Sequence, residues 1–440
     1  MLGVFISLFC SIFLSSYLEV MVLLSLLVPA VLSMAYKNTV YLEDFYFSSN
    51  DMNGALIFMA ISLALLIFIS SWAISSRFYS ATLLTLLLIL MLCFSASNLL
   101  WFFIMFESSL LPILLMIVGW GYQPERLQAG LYMILYTVLG SMPLLIIILY
   151  MYYSTCSLSM YLLSISGNLF NIYFTLGFLA FLVKLPIYTF HVWLPKAHVE
   201  APLGGSMILA GVLLKLGGYG LYIYGPLSNS SMTCFSYMFL ICLSLWGGLY
   251  ASLICLSQTD IKSMIAYSSV VHMSLVVLGI LSNTSWGFSC ALITMVAHGW
   301  ASSALFLIAY INYESVGSRS FSYTKGMLSI MPTLSYFWFI LVAVNMSVPP
   351  TINLVGELCA VPVAMWMNPC LLFVLLLVLF TGVAYNMYLY AKVNHGAVSL
   401  LILGGKGLTA RAVLAMAGHL LPMLLLFSMY LISPYTECCM

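Results

Sequence analysis

Residues 181–218 read FLVKLPIYTFHVWLPKAHVEAPLGGSMILAGVLLKLGG. Two long apolar runs meet in this stretch, and each carries one lysine, Lys184 and Lys215. Nearly every other lysine or arginine sits at the edge of an apolar run, whereas these two sit within one. Pro186 follows Lys184 by two residues, and proline cannot donate the helical i→i−4 bond and clashes with the preceding turn. A charge beside a helix break in hydrophobic sequence is expensive and marks a functional position by default.

The composition around that stretch sets the class. The chain has 440 residues, 64% of them hydrophobic and only 5% charged, against about 25% charged in a soluble domain. So few charges cannot cover a folded surface in water, so the chain reads as a polytopic membrane protein. A net charge of +1 leaves no basic field for nucleic acid. None of the eleven cysteines forms a C-x-x-C pair. They read as small buried apolar side chains rather than metal, iron–sulfur or haem ligands. No G-x-G-x-x-G or Walker A pattern occurs, and GGKGLT at 404–409 lacks the spacing of a P-loop. No metal and no redox or nucleotide cofactor is expected in this chain. The N-terminus is apolar at once, without a basic n-region or small-residue cleavage site, and reads as neither a signal peptide nor an Arg-rich transit peptide.

A helix needs about 20 apolar residues to cross a bilayer. That ruler places spans near 2–17, 20–36, 54–75, 79–96, 98–119, 127–152, 171–190, 203–224, 233–255, 260–281, 286–311, 328–366 (broken), 368–391 and 410–432. Segment 154–170 has room for a short surface helix. The basic residues test the order. Connections after odd-numbered spans hold Arg77, Arg126, Lys196, Lys262, Arg319, Lys325, Lys392, Lys406 and Arg411. Connections after even-numbered spans hold Lys37 with the acids Glu43, Asp44 and Asp51. The positive-inside rule then puts the odd-numbered connections on the inner side and both termini outside. Tyr and Trp gather at span ends, as interfacial belts do.

Two spans look interrupted. The seventh has Pro186 beside Lys184, and the twelfth has Val348-Pro349-Pro350 followed by TINLVGEL with Glu357. Breaks at matching places in two halves point to an inverted-repeat transporter. Five spans separate the two breaks, and an odd offset means opposite orientation. The expected organisation is residues 1–76 as helices one to three, 77–230 as repeat one, 231–392 as repeat two and 393–440 as helix fourteen. The fold class is therefore an all-α polytopic membrane protein of about fourteen transmembrane helices, with two inverted five-helix repeats and broken helices seven and twelve.

Four charged residues fall inside spans: Glu107, Lys184, Lys215 and Glu357. Each costs about 2.5–3.5 kcal/mol at mid-bilayer on insertion scales, so four unpaired charges would rival a whole domain's stability. They are expected to face the bundle interior with partners or water. A carboxylate about 6 Å from a lysine, at an effective dielectric of about 20, is worth about 2.8 kcal/mol to the ammonium. An acid that approaches and withdraws could thus switch a buried lysine between holding and releasing a proton, which arginine could not do. Glu107 reads as that acid, Lys184 as the switch, Lys215 as the next station and Glu357 as the exit or storage group. His272 and His298 lie inside spans ten and eleven and suit a bridge between stations, since imidazole exchanges protons near neutral pH. They suit interhelical hydrogen bonds equally well. His191 and His198, beside Lys196 and Glu200, look interfacial.

These residues carry a resemblance. LVKLPIYTFHVWLPKAHVEAPLGGSMILAGVLLKLGGYG (182–220) resembles the signature of the antiporter-like membrane subunits of respiratory complex I. FESSLLPILLMIVGWGYQPERLQAG, ICLSQTDIKSMIAYSSVVHMSLV, VAHGWASSALF and PPTINLVGEL are similar to the same family, over about residues 95–360; residues 1–90 and 370–440 match only in hydropathy. The resemblance implies fourteen helices in two inverted repeats. It implies a place in the membrane arm between the chain 2-like and chain 5-like subunits, in contact with membrane lipids and not with nucleic acid. It implies the mitochondrial inner membrane, with the inner side as the matrix. By position, Glu107 matches the acid of helix five, Lys184 the lysine of helix seven, Lys215 that of helix eight and Glu357 the acid of helix twelve. His272 and His298 match central-axis histidines. The family's enzyme is a proton-translocating NADH:ubiquinone reductase whose NAD, FMN, iron–sulfur clusters and ubiquinone lie in other subunits. The expected function is proton translocation through a Glu/Lys/Lys/His/Glu relay, coupled to electron transfer elsewhere. The alternatives are a subunit of a cation/proton antiporter and a structural spacer that pumps nothing. A spacer would be cheaper without four mid-membrane charges. No broken span shows a polar cluster suited to an organic solute.

Overall fold

The apolar runs fold as helices, because in a bilayer every backbone N–H and C=O must find its partner within the segment. A computed structural model describes residues 2–14, 16–36, 51–72, 76–160, 172–227, 235–398 and 408–424, and no strand occurs among them. In chain order the helices are α1 (Leu2–Ser11), α2 (Tyr17–Tyr36), α3 (Asp51–Ser70), α4 (Arg77–Phe94), α5 (Leu99–Ser108), α6 (Leu110–Trp120) and α7 (Arg126–Thr155). Then come α8 (Ile172–Lys184), α9 (Trp193–Glu200), α10 (Leu203–Ile208), a π turn (Leu209–Leu213) and α11 (Leu214–Leu227). The second half holds α12 (Phe235–Ser257), α13 (Ile261–Leu281), α14 (Ser285–Val316), α15 (Met327–Ile330), α16 (Pro332–Asn345), α17 (Ile352–Met367), α18 (Pro369–Asn394) and α19 (Ala410–Leu424).

Nine stretches among the described residues are long and apolar enough to cross a membrane, from Met52–Ser70 to Pro369–Asn394. Five further apolar helices are shorter: Leu2–Ser11, Tyr17–Ser33, Pro332–Asn345, Ile352–Met367 and Ala410–Leu424. The expected surface helix falls largely on residues 161–170, which lie outside the described residues, as do Lys37, Glu43, Asp44, Lys406 and the end of the last expected span.

The centre of the molecule is α14, 32 residues long and buried continuously from Ser289 to Ala309. It packs against α13, α17, α19, α16, α10 and α3. α7 and α18 lie outside and present apolar side chains outward, among them Leu135, Leu139, Ile146, Phe373 and Phe380. That inversion of the soluble pattern is what a lipid solvent permits.

One backbone device occurs twice. Before α5, Leu99 N donates to Leu158 O at 3.0 Å and Met160 N to Ser97 O at 3.1 Å, an isolated antiparallel bridge between Asn98 and Ser159. Before α13, Ile261 N donates to Arg319 O at 3.1 Å and Phe321 N to Thr259 O at 3.0 Å, bridging Asp260 and Ser320. The companions recur with it. Cys93 Sγ faces Phe102 O at 3.9 Å, and Cys255 Sγ faces Met264 O at 3.8 Å. The long helices α7 and α14 each end on a left-handed residue, Cys156 (φ 54°) and Gly317 (φ 76°). At Gly317 glycine carries no Cβ penalty in this conformation.

Candidate functional site

Lys184 is the last residue of α8. Pro186 brings no N–H to the next turn, and Ile187 N donates to Leu182 O at 3.3 Å in its place. The orphan carbonyl of Val183 accepts from Trp193 Nε1 at 3.0 Å, which ties α9 back to the end of α8. Gly217 on α11 closes against the break. A Cβ there would stand 2.9 Å from Leu185 N and 3.0 Å from Phe181 O.

At this helix end the Lys184 side chain is buried. Its Nζ donates to the carbonyl of Phe106 at 2.8 Å and stands 3.2 Å over the centroid of the Phe106 ring. Both contacts favour the ammonium, one as a charge-assisted hydrogen bond and one through the ring quadrupole. Glu107 is the next residue. It sits at the end of α5, where Pro112 brings no N–H to the carbonyl of Ser108 and the helix restarts at Leu110. Glu107 is half-buried and its Oε1 is buried without a hydrogen-bond partner. Arg319–Glu200 is an ion pair and His272 lies 3.9 Å from Glu357, whereas Lys184 has no carboxylate among the described residues within 4 Å and holds to Phe106, with Glu107 acting on it only through space.

Lys215 follows the π turn. A π turn shifts the backbone ladder by one residue and is frequent at functional sites. Lys215 Nζ donates to the carbonyl of Ala210 at 2.6 Å and lies 3.0 Å from His298 Nδ1. Gly299 of α14 lets the helices pack closely here, since a Cβ would clash with Met59 Sδ of α3 and stand 3.2 Å from the carbonyl oxygen of Gly211. The rings of His298 and His272 are 5.2 Å apart. His272 Nδ1 lies 3.9 Å from Glu357 Oε1. Lys215, His298, His272 and Glu357 thus form one contact series across α11, α14, α13 and α17.

No hydrogen bond or ion pair among the described residues joins that series to Lys184. A small cavity of about 10 Å³ beside Lys184 is walled mainly by apolar side chains, among them Leu110, Ile113, Met133, Leu209 and Leu213, and none of the four series residues lines it.

The structure adds a second polar group that the sequence placed differently. His198, expected near the interface, is fully buried and stacks on Phe306 with centroids 4.6 Å apart. Its burial follows from α9 folding back under Trp193 rather than leaving the bundle. Glu200 Oε1 meets Arg319 Nη1 at 3.3 Å, and the same Nη1 donates to Val199 O at 2.8 Å. Lys262, expected in a connection, lies buried in the first turn of α13 and donates to Ala201 O at 3.5 Å. Removing one member of such a buried pair costs about 3–5 kcal/mol, because the other is left uncompensated. Arg319→Met should therefore lower the melting temperature of the purified assembly, and the double variant with Glu200→Gln should recover most of the loss. An unchanged melting temperature in the single variant would show that water already solvates the pair.

Set against known proteins, residues 96–383 match the transmembrane family described as NADH:quinone oxidoreductase/Mrp antiporter. A curated relative from Albinaria caerulea, named NADH-ubiquinone oxidoreductase chain 4, is 44% identical over 420 residues, covering 94% of this chain and 95% of the relative. A chain 4 from Ceratitis capitata is 43% identical over 359 residues, 80% of each chain. One from Lumbricus terrestris is 38% identical over 431 residues, 94% of this chain and 93% of the relative. Among solved structures, a chain of respiratory complex I from Thermus thermophilus with bound NADH superposes with a TM-score of 0.87 at 22% identity, over 98% of this chain and 96% of that one. A chain of the Mrp complex from Dietzia sp. gives 0.85 at 16% identity, over 95% and 91%. At those identities the structural likeness speaks for the fold alone.

Proposed function

The chain belongs to the NADH:quinone oxidoreductase/Mrp antiporter transmembrane family, and from that premise we propose that it is a proton-translocating, antiporter-like subunit of respiratory complex I in the mitochondrial inner membrane. The observation that carries this reading is the contact series Lys215–His298–His272–Glu357, in which each group can hold a proton and touches the next. Ionisable groups cost too much in a membrane to line up without a task.

In this reading Glu107 controls Lys184. The ammonium rests on Phe106 until the Glu107 carboxylate draws it, and release sends its proton toward Lys215. His298 and His272 carry the proton on, and Glu357 stores or discharges it. Moving one charge against about 180 mV costs about 4 kcal/mol. A carboxylate approaching a buried lysine supplies energy of that order. The ends of α8 at Lys184 and α16 at Asn345 are the two breaks of helices seven and twelve. The boundaries 77–230 and 231–392 for the two inverted repeats draw support from the twin bridges at Asn98 and Asp260. The remaining residues form helices one to three and fourteen. Electron transfer from NADH to ubiquinone proceeds in other subunits with their NAD, FMN and iron–sulfur clusters, and this chain has no redox centre. Its direct neighbours are the chain 2-like and chain 5-like subunits.

The test is to purify the chain with whatever assembles on it, reconstitute it in liposomes and follow internal acidification. NADH with a quinone should drive proton uptake that does not require sodium. Sodium-dependent proton exchange by the isolated chain, without NADH, would instead favour a stand-alone antiporter and end the complex I reading.

A further inference from the structure

The carbonyl that holds Lys184 has a second donor. Phe106 lies in the last turn of α5, which ends at Ser108, and the carbonyls of a last turn have no partner within their own helix. Two side chains take up its oxygen instead. Lys184 Nζ donates to it at 2.8 Å and Ser109 Oγ at 2.7 Å. Ser109 is the single residue between α5 and α6 and is fully buried. At the same break, Glu107 Oε1 is buried without a hydrogen-bond partner.

A serine that bonds the carbonyl three residues back is ordinary by itself. Ser108 Oγ donates to Met105 O at 2.9 Å, and Ser109 N bonds that same carbonyl at 3.1 Å. Ser109 differs in its acceptor, which is also the resting place of a buried ammonium. A carbonyl oxygen has two lone pairs, so it holds both donors at once. Once the ammonium leaves, a buried carbonyl without a second donor stands unbonded, and that carries the full cost of its desolvation.

We propose that Ser109 is a positioning residue for Lys184: its hydroxyl keeps the Phe106 carbonyl bonded when the ammonium departs, and so lets the lysine leave. Without the hydroxyl the folded resting state is almost untouched, because the lysine still satisfies the carbonyl there. The penalty falls on departure alone, and the lysine becomes slow to move toward Glu107. This inference rests on the relay reading above and adds to it the group that sets how readily the first station is released.

The test is the rate of proton uptake by the assembled complex in liposomes with NADH and a quinone, counting the part that Lys184→Met abolishes, together with the melting temperature. Ser109→Ala should slow that part by about 10-fold, the factor that one unbonded buried carbonyl represents, at a melting temperature near that of the wild type. Ser109→Thr keeps a hydroxyl that bonds the i−3 carbonyl in a helix, and should pump near the wild-type rate. Ser108→Ala loses the same kind of bond to a carbonyl that no lysine uses, and should also pump near the wild-type rate. Ser109→Cys, similar in size with only a weak donor, should fall between Ser109→Ala and the wild type, and it covers the case in which Ser109→Ala does not assemble. A wild-type rate in Ser109→Ala, or in Ser109→Cys where it stands in, would overturn the role of Ser109 alone, provided that Lys184→Met does not pump. So would slowing of equal size in Ser108→Ala or Ser109→Thr, or slowing that comes with a lowered melting temperature. Full proton uptake by Lys184→Met would remove the relay reading and this inference with it.

Discussion

Lys184→Met, introduced into the assembled complex, is expected to remove proton pumping through this chain while leaving it folded. Methionine has nearly the length of lysine and fills the space beside Phe106 and Trp193 without a charge. The insertion cost of the lysine, about 3 kcal/mol, disappears, and with it go the charged bond to the Phe106 carbonyl, worth about 1.5–3 kcal/mol, and the contact with the Phe106 ring, worth about 0.5–2 kcal/mol. The variant should therefore assemble and melt near the wild-type temperature. Its proton-transfer step should slow by about 10²–10⁴, the usual contribution of a positioned acid or base. Glu107→Gln should reproduce the loss by a different route, because the lysine then has no carboxylate to leave Phe106 for. Protons moved per NADH in liposomes decide the matter. A Lys184→Met complex that kept its full proton yield would show that this lysine is a structural ion and not a station.

Lys215→Arg is expected to stop pumping as completely as Lys215→Met. The two variants fail for opposite reasons, which makes the pair informative. Arginine keeps the positive charge but does not release its proton in a protein, so His298 at 3.0 Å would receive nothing from it. Methionine has no proton to give. Their stabilities should differ, because Lys215 has no exposed surface and the wider guanidinium must overfill the site at about 1–3 kcal/mol. Thermal melting separates that effect from the catalytic one. Pumping by Lys215→Arg at the wild-type rate would mean that the residue acts as a fixed charge and never passes through its neutral form.

Much of the site was legible because the membrane makes polar residues conspicuous. Glu107, Lys184, Lys215, Glu357, His272 and His298 stand out in apolar sequence because a polar side chain is costly there. Pro186 marked the end of α8, since a missing N–H acts locally. Phe106 was not legible. One phenylalanine among 27 carries no local sign that its carbonyl and ring hold a lysine far along the chain. Lys262 and Arg319 looked like ordinary positive-inside residues, and His198 like an interfacial one. Their burial depends on α9 folding back into the bundle, which hydropathy does not report.

The sequence by itself determined that the chain is a helical membrane protein, where its charges fall and which ionisable residues lie in apolar sequence. Those properties follow from transfer energies that depend on each residue and its near neighbours. The tertiary structure alone decided which of them touch: Lys215 with His298, His298 with His272, His272 with Glu357, and Lys184 with Phe106. Contacts between distant helices depend on close approaches such as Gly299 against Gly211 and on the register shift of the π turn before Lys215. A displacement of one residue in that register would turn the ammonium away from the histidine, and nothing in the local sequence fixes it.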